Sequence, residues 1–311
     1  MNGVFIAFLR SLIMLFIFCS SVYAANNAIW IWETESFRML DNNQSLEQSM
    51  SFLKSQDIST LYLYADEYHG RNVLIREPEK YRKLIKIAHE NGFKIYALLG
   101  SYYLNTPEYI LPEKRRVALQ MFENVLIYNK NAETESQFDG INLDIEPYLL
   151  DDWSTSRPLR GPQYLELSKA FMELKEKYGS GIQVGPAIPF WFSGITDVTW
   201  NNQKRQYNEW IQDIYDYVAI MDYRNKALGS DSMVSLSKEE FDYADKINKK
   251  VMIGVETIET TPEKITFYGM GIKYFKKQLA LAKAEMIKHK SFGGFVIHHY
   301  ESYEKMVEEN K

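Results

Sequence analysis

Cysteine is almost missing from this chain of 311 residues: Cys19 is the only one, and it lies inside an apolar N-terminal stretch. Without that stretch no thiol remains, which excludes a cysteine nucleophile, a disulfide and a thiolate metal site. Charge of one sign is nowhere concentrated. The formal net charge is −5 and no basic stripe occurs, so nucleic acid is not an expected partner. Metal-binding spacing is lacking too, because His69, His89, His298 and His299 form neither H-x-x-x-H nor H-E-x-x-H. Neither a metal nor an organic cofactor is expected. There is no G-x-S-x-G elbow, which disfavours a serine hydrolase of the α/β type. No glycine-rich loop follows the first apolar run, AIWIWETESF, which disfavours a doubly wound nucleotide-binding sheet. Linkers, low-complexity segments and repeats are also absent.

The longest apolar run is at the N-terminus. Arg10 precedes SLIMLFIFCSSVYA, which Ser20 and Ser21 interrupt and which closes on Val22-Tyr23-Ala24. The tract is short for a membrane span and ends in a small-x-small cleavage pattern. It reads as a signal peptide over 1–24, with an uncleaved anchor as the alternative. The remaining 25–311 is then one secreted or periplasmic domain with no stable membrane insertion.

What is present is alternation. Short apolar runs at Ala28–Trp32, Thr60–Tyr64, Lys94–Leu99, Gly140–Glu146, Gln183–Ala187, Tyr217–Tyr223, Lys250–Val255 and Gly294–His298 read as strands. Between them lie stretches such as PEKYRKLIKIAHENG and KYFKKQLALAKAEMIKH, whose apolar residues recur at helical spacing. Eight strands alternating with helices predict a single (β/α)8 TIM barrel. The long connections 147–163 and 190–207 follow strands, and in a barrel those loops wall the catalytic face.

The fourth strand carries the chemistry. In Asp139-Gly140-Ile141-Asn142-Leu143-Asp144-Ile145-Glu146-Pro147, alternation puts Asn142, Asp144 and Glu146 on one face, inside the barrel and rising to its mouth. Inward polar groups carry a large desolvation cost, so a hydrogen-bonded core network competes with a catalytic reading. Glu146, beside an ionised Asp144, is expected to hold its proton and to serve as the acid of glycoside cleavage.

This segment resembles the D-G-x-D-x-D-x-E signature of glycoside hydrolase family 18, the chitinases and endo-β-N-acetylglucosaminidases. Asp139, Gly140, Asp144 and Glu146 match, and Asn142 stands in place of the middle Asp. The resemblance implies Glu146 as acid/base and attack by the substrate's own 2-acetamido oxygen. It implies Asp144 orienting the acetamido N–H, and Tyr223 donating its hydroxyl to the acetamido carbonyl. Met221-Asp222-Tyr223-Arg224 resembles the family's M-x-Y-[DN], with Met221 and Tyr223 on one face and Arg224 adding charge beside the site. Asn142 is expected to serve as an amide donor to Asp144 and, with Met221, as a substrate contact, and His298, a further expected substrate contact, stands where the family usually has a Trp floor. An N-acetylhexosamine-containing glycan follows as the expected substrate.

Two other readings stay open. Glu146-Pro147 also fits retaining barrels with a nucleophile on the seventh strand, for which Glu256 is the candidate. A carbohydrate-binding protein on an inactive barrel is the rival from another class. Trp32 and Trp191 are candidate sugar platforms, with Tyr102 and Tyr103 in similar positions; Glu33, Asp66 and Glu67 sit at strand ends as candidate hydroxyl ligands. Each is also compatible with plain packing or a solvated charge.

Overall fold

The computed structural model describes residues 27–309, so the segment assigned as a signal peptide lies, with Cys19, outside the described residues. Runs of β-branched and aromatic residues pair as eight parallel strands: Asn27–Ile31, Ile58–Tyr64, Lys94–Leu99, Gly140–Leu143, Gln183–Pro189, Tyr217–Met221, Lys250–Glu256 and Phe292–His298. Each pairs with its sequence neighbours, and Ala28 opposite Val296 closes the ring. This is the (β/α)8 barrel expected from the alternation.

Strand parity divides the core in two. Ala28, Trp30, Tyr62, Leu98, Ala187, Tyr217, Ala219, Met252 and Val296 fill the barrel interior. The intervening residues, such as Ile29, Leu61, Ile141, Val218 and Ile253, pack outward under the helices. At the N-terminal end of the barrel, carboxylates take up amides at strand starts. Asp139 accepts from the Ile95 N–H at 2.7 Å, Asp216 from Val184 at 2.8 Å and Asp245 from Ser291 at 2.9 Å.

Three sequence expectations change. The fourth strand stops at Leu143, not Glu146. Its partner, the third strand, ends at Leu99, whose carbonyl accepts a last bond from the Asp144 N–H at 2.7 Å. Beyond it the ladder has no partner, and Pro147, which has no N–H, begins a 3-10 turn over Pro147–Leu149. The sixth strand likewise stops at Met221, two residues before Tyr223. Most of the expected loop 147–163 is helical, because a helix spans Trp153–Lys177 with Pro158 and Pro162 inside it. Tertiary burial of Trp153, Gly161, Tyr164 and Leu165 outweighs the local cost of the two prolines. The other long connection holds a 3-10 turn, Phe190–Gly194, and a small hairpin of Thr199–Trp200 with Gln203–Lys204.

Candidate active site

Asp144 and Glu146 leave the fourth strand where its ladder ends, and both line an open cavity of about 650 Å³ at the C-terminal mouth. The other walls are Trp32 and Glu33 after the first strand, Tyr68, Ser101 to Tyr103, Thr106, Pro107, Leu149 and His298. No lysine or arginine lines this cavity. Gly100 makes the approach of strands three and four possible: it sits at φ 109°, and a Cβ there would lie 2.2 Å from the Asp144 carbonyl oxygen.

The two acids are in different electrostatic states. Burial raises both, the Glu146 carboxyl much further, with the neighbouring Asp144 charge as its second cause. Asp144 is raised less, by burial and by the charge of Glu33, and only a positively charged His298 would oppose them. At neutral pH the pair is therefore a protonated Glu146 beside an ionised Asp144. The Asp144 side chain makes no hydrogen bond among the described residues and is open to the cavity. Glu146 accepts a bond from the Tyr148 hydroxyl in the 3-10 turn that follows. Tyr148 is a contributor that sequence reasoning missed, although its place two residues after the acid was a usable signal. Ser101 is another: its hydroxyl donates to Glu33 and its backbone is tied to Thr106.

The remaining sequence candidates separate sharply. Asn142 points into the barrel but is 0% exposed, beneath the cavity. Its Oδ1 accepts the Trp30 indole N–H at 2.8 Å, and its amide donates to Gly185 O at 3.2 Å and Tyr217 Oη at 3.3 Å. It gives nothing to Asp144 and is closed to a ligand, so the expected roles as donor and sugar contact are corrected. Met221 packs against the interior core and does not line the cavity. Arg224 turns away: its guanidinium pairs with Asp231 at 2.7 Å and lies over the Phe190 ring, so it adds no charge at the site. Trp191 is 38% exposed but stands behind Tyr148, ring centroids 5.2 Å apart, outside the cavity wall. Asp66 is buried and accepts from the Glu67 N–H at 2.7 Å and Asn72 at 3.2 Å; burial pushes it up to about 6 and it does not reach the cavity. Glu67 is spent on the Gly70 N–H. Tyr223 stacks loosely against His298, centroids 5.9 Å apart, and its hydroxyl has no hydrogen-bond partner among the described residues. Burial and the charges of Glu256, Asp144 and Glu146 push that hydroxyl well up, so it is a donor, although Tyr223, like Glu256, is not among the residues lining the cavity.

Glu256 is the clearest change. It is only 6% exposed. Its Oε1 accepts from the Thr257 and Ile258 amides at 2.7 and 2.8 Å, and its Oε2 bonds His298 Nδ1 at 2.8 Å. His298 Nε2 in turn accepts the Trp32 indole N–H at 2.9 Å. An accepting Nε2 places the ring proton on Nδ1, so the hydrogen bonds run in one direction from Trp32 through His298 to Glu256. Both Glu256 oxygens are thus committed within the protein, and its position off the cavity wall counts against the nucleophile reading. Among the described residues no cluster of His, Cys, Asp or Glu has metal-binding geometry. No helix among them is long and apolar enough to cross a membrane.

No protein-family model matches the chain, and no curated protein matches it in sequence. The fold, however, is shared with solved glycosidases. A GH18 chitinase from Pseudoalteromonas aurantia superposes with a TM-score of 0.58 at 11% identity, over 91% of this chain and 96% of that one. A GH18 chitinase from Cycas revoluta in complex with (GlcNAc)3 gives 0.52 at 12% identity, over 89% and 96%. An exo-β-1,4-mannosidase from Opitutaceae bacterium strain TAV5 gives 0.59 at 11% identity, over 89% of this chain and 52% of that one. At these identities the similarity establishes the barrel fold that such enzymes use.

Proposed function

We propose that this chain is an exported glycoside hydrolase that cleaves beside an N-acetylhexosamine with retention of configuration, using the substrate's acetamido group as nucleophile. The geometry that carries the reading is Glu146 and an unbonded Asp144 in one open cavity that no lysine or arginine lines, with burial raising Glu146 much further than Asp144. Glu146 delivers its proton to the departing glycosidic oxygen while the acetamido oxygen closes on the anomeric carbon. The Asp144 carboxylate accepts the acetamido N–H and balances the positive charge of the oxazolinium. The free hydroxyl of Tyr223 donates to the acetamido carbonyl. Glu146, now ionised, takes a proton from the incoming water, which attacks the same face and restores the acid. Trp32, fixed through its indole N–H, offers a ring face to the sugar. Residues 1–24 direct export and are removed.

Turnover on a panel of acetylated and deacetylated oligosaccharides tests the mechanism. Acetylated substrates should be cleaved, deacetylated ones spared, and a thiazoline mimic should inhibit. Glu146→Gln should keep oligosaccharide binding and lose at least about 100-fold in turnover, the usual contribution of a general acid. Undiminished turnover in that variant would remove Glu146 from the reaction. Binding without turnover of any glycan by the unaltered protein would leave a carbohydrate-binding barrel. Rapid cleavage of deacetylated glycans would remove the acetamido nucleophile. The mass of the exported protein checks cleavage after Ala24.

A further inference from the structure

A second cavity, of about 540 Å³, opens at the opposite, N-terminal end of the barrel. Lys94, Lys250, Lys283, Lys290 and His289 line it, together with Tyr62, Tyr96, Tyr217, Met252 and Phe292, and no carboxylate does. In a TIM barrel this end is ordinarily packed and serves stability. Here the sequence opens it. Gly140 lies beside Tyr96 and Gly185 beside Tyr217, where an added Cβ would come within 2.5 to 2.7 Å of the ring atoms. The two glycines therefore let these rings lean across neighbouring strands and form the cavity wall.

None of the four lining lysines is paired with a carboxylate among the described residues. Three acids near this end are already engaged: Asp139 with Ile95 N–H and His89, Asp216 with Val184 N–H and Lys175, Asp245 with Ser291 and His289. Lys250 donates to the Lys290 carbonyl at 2.7 Å. The ammonium groups of Lys94, Lys283 and Lys290 have no partner among the described residues, and neither does the Tyr96 hydroxyl. Point-charge donors converging on one cavity in a chain of net charge −5 match a compact, multiply charged anion. The rings and Met252 behind them match an organic portion.

We infer that the N-terminal mouth of the barrel is a binding site for a phosphate ester, held by Lys94, Lys250, Lys283 and Lys290 and distinct from the cavity of Glu146. The phosphate can belong to a soluble phosphomonoester or to an anionic lipid headgroup, and the experiment separates the two. The full chain is titrated calorimetrically with two phosphomonoesters, glycerol 1-phosphate and phenyl phosphate. It is also sedimented with phosphatidylcholine vesicles that contain or lack phosphatidylglycerol. The same measurements are made on Lys94→Gln/Lys283→Gln, whose exposed or half-buried side chains carry no packing role. Saturable binding of a soluble probe assigns the site to soluble esters, and phosphatidylglycerol-dependent sedimentation assigns it to headgroups. In either case the double variant should bind at least about tenfold more weakly, since each lost charge-assisted contact is strong. Binding of neither probe, or equal binding by the variant, overturns the inference. Glycan turnover of the variant should be unchanged, so this result and the fate of the glycosidase reading are read independently.

Discussion

Asp144 and Glu146 stand two residues apart, yet their surroundings set them to opposite protonation states. In the proposed mechanism Asp144 acts ionised and Glu146 acts protonated. The rate should therefore rise with pH as Asp144 loses its proton, near about 6, and fall as Glu146 loses its own, near about 9. Asp144→Asn removes the charge that disfavours ionisation of Glu146, so the alkaline limb should move to lower pH while burial keeps it above the ordinary carboxylate range. A kcat/KM profile for both proteins checks this, and an unmoved alkaline limb would show that the two acids are not coupled. Glu256 lends itself to a second test. A Gln there can face His298 with an NH2 group, which is incompatible with the Nδ1–H form that leaves Nε2 free for Trp32. Glu256→Gln should loosen the Trp32 platform and raise KM by about tenfold with kcat little changed, a loss near that of one hydrogen bond. A collapse of kcat, with a glycosyl adduct trapped on Glu256 of the unaltered protein, would instead make it the nucleophile.

At the level of elements, the site depends on where strands end. Strand three must stop and strand four must pass close to it, and Gly100 meets both requirements with its positive φ and the absence of a Cβ. Gly100→Ala should cost about 1–3 kcal/mol in urea unfolding, the range for overpacking and backbone strain. It should also reduce turnover, because the clash falls on the backbone of Asp144. Stability loss with full turnover would show that the Asp144 backbone is not confined there. The helix Trp153–Lys177 shows how far local signals reach. Pro158 and Pro162 mark its first half as a loop by propensity, and tertiary packing, including that of Gly161 against Val198 and Tyr207, maintains helix there.

Across the whole molecule, the cavities at the two ends of the barrel are lined by opposite charges. Carboxylates line the C-terminal mouth and lysines the N-terminal one. Between barrel and helices, Glu240 and Asp222 are buried without hydrogen-bond partners, and burial pushes Glu240 up to about 8. An unfolded Glu ionises near its ordinary value, so from there up to about 8 the folded state holds the extra proton. Stability should thus decline as pH rises through that window and level off above it. Glu240→Gln should flatten the decline and stabilise the protein at pH 7 by about 1–3 kcal/mol, because a neutral amide carries no proton linkage between an ordinary Glu and about 8. Urea unfolding at several pH values measures it, and an unchanged slope would mean that another group governs it.

The alternation of apolar runs with amphipathic stretches was enough to specify the barrel, because burial on both faces of a parallel strand leaves its mark within a few residues. Strand parity, a property of the chain alone, likewise put Asn142 on the inward face, whereas Asp144 and Glu146 reach the mouth beyond the end of that strand. What only the tertiary structure decided is who meets whom. Trp32 follows strand one, His298 and Glu256 come from strands eight and seven, and Asn142 is sealed by Trp30 and Tyr217. The lysines of the far mouth come from three separate regions of sequence. Such contacts depend on barrel closure, which brings distant strand ends within hydrogen-bond reach, and no local pattern encodes that distance.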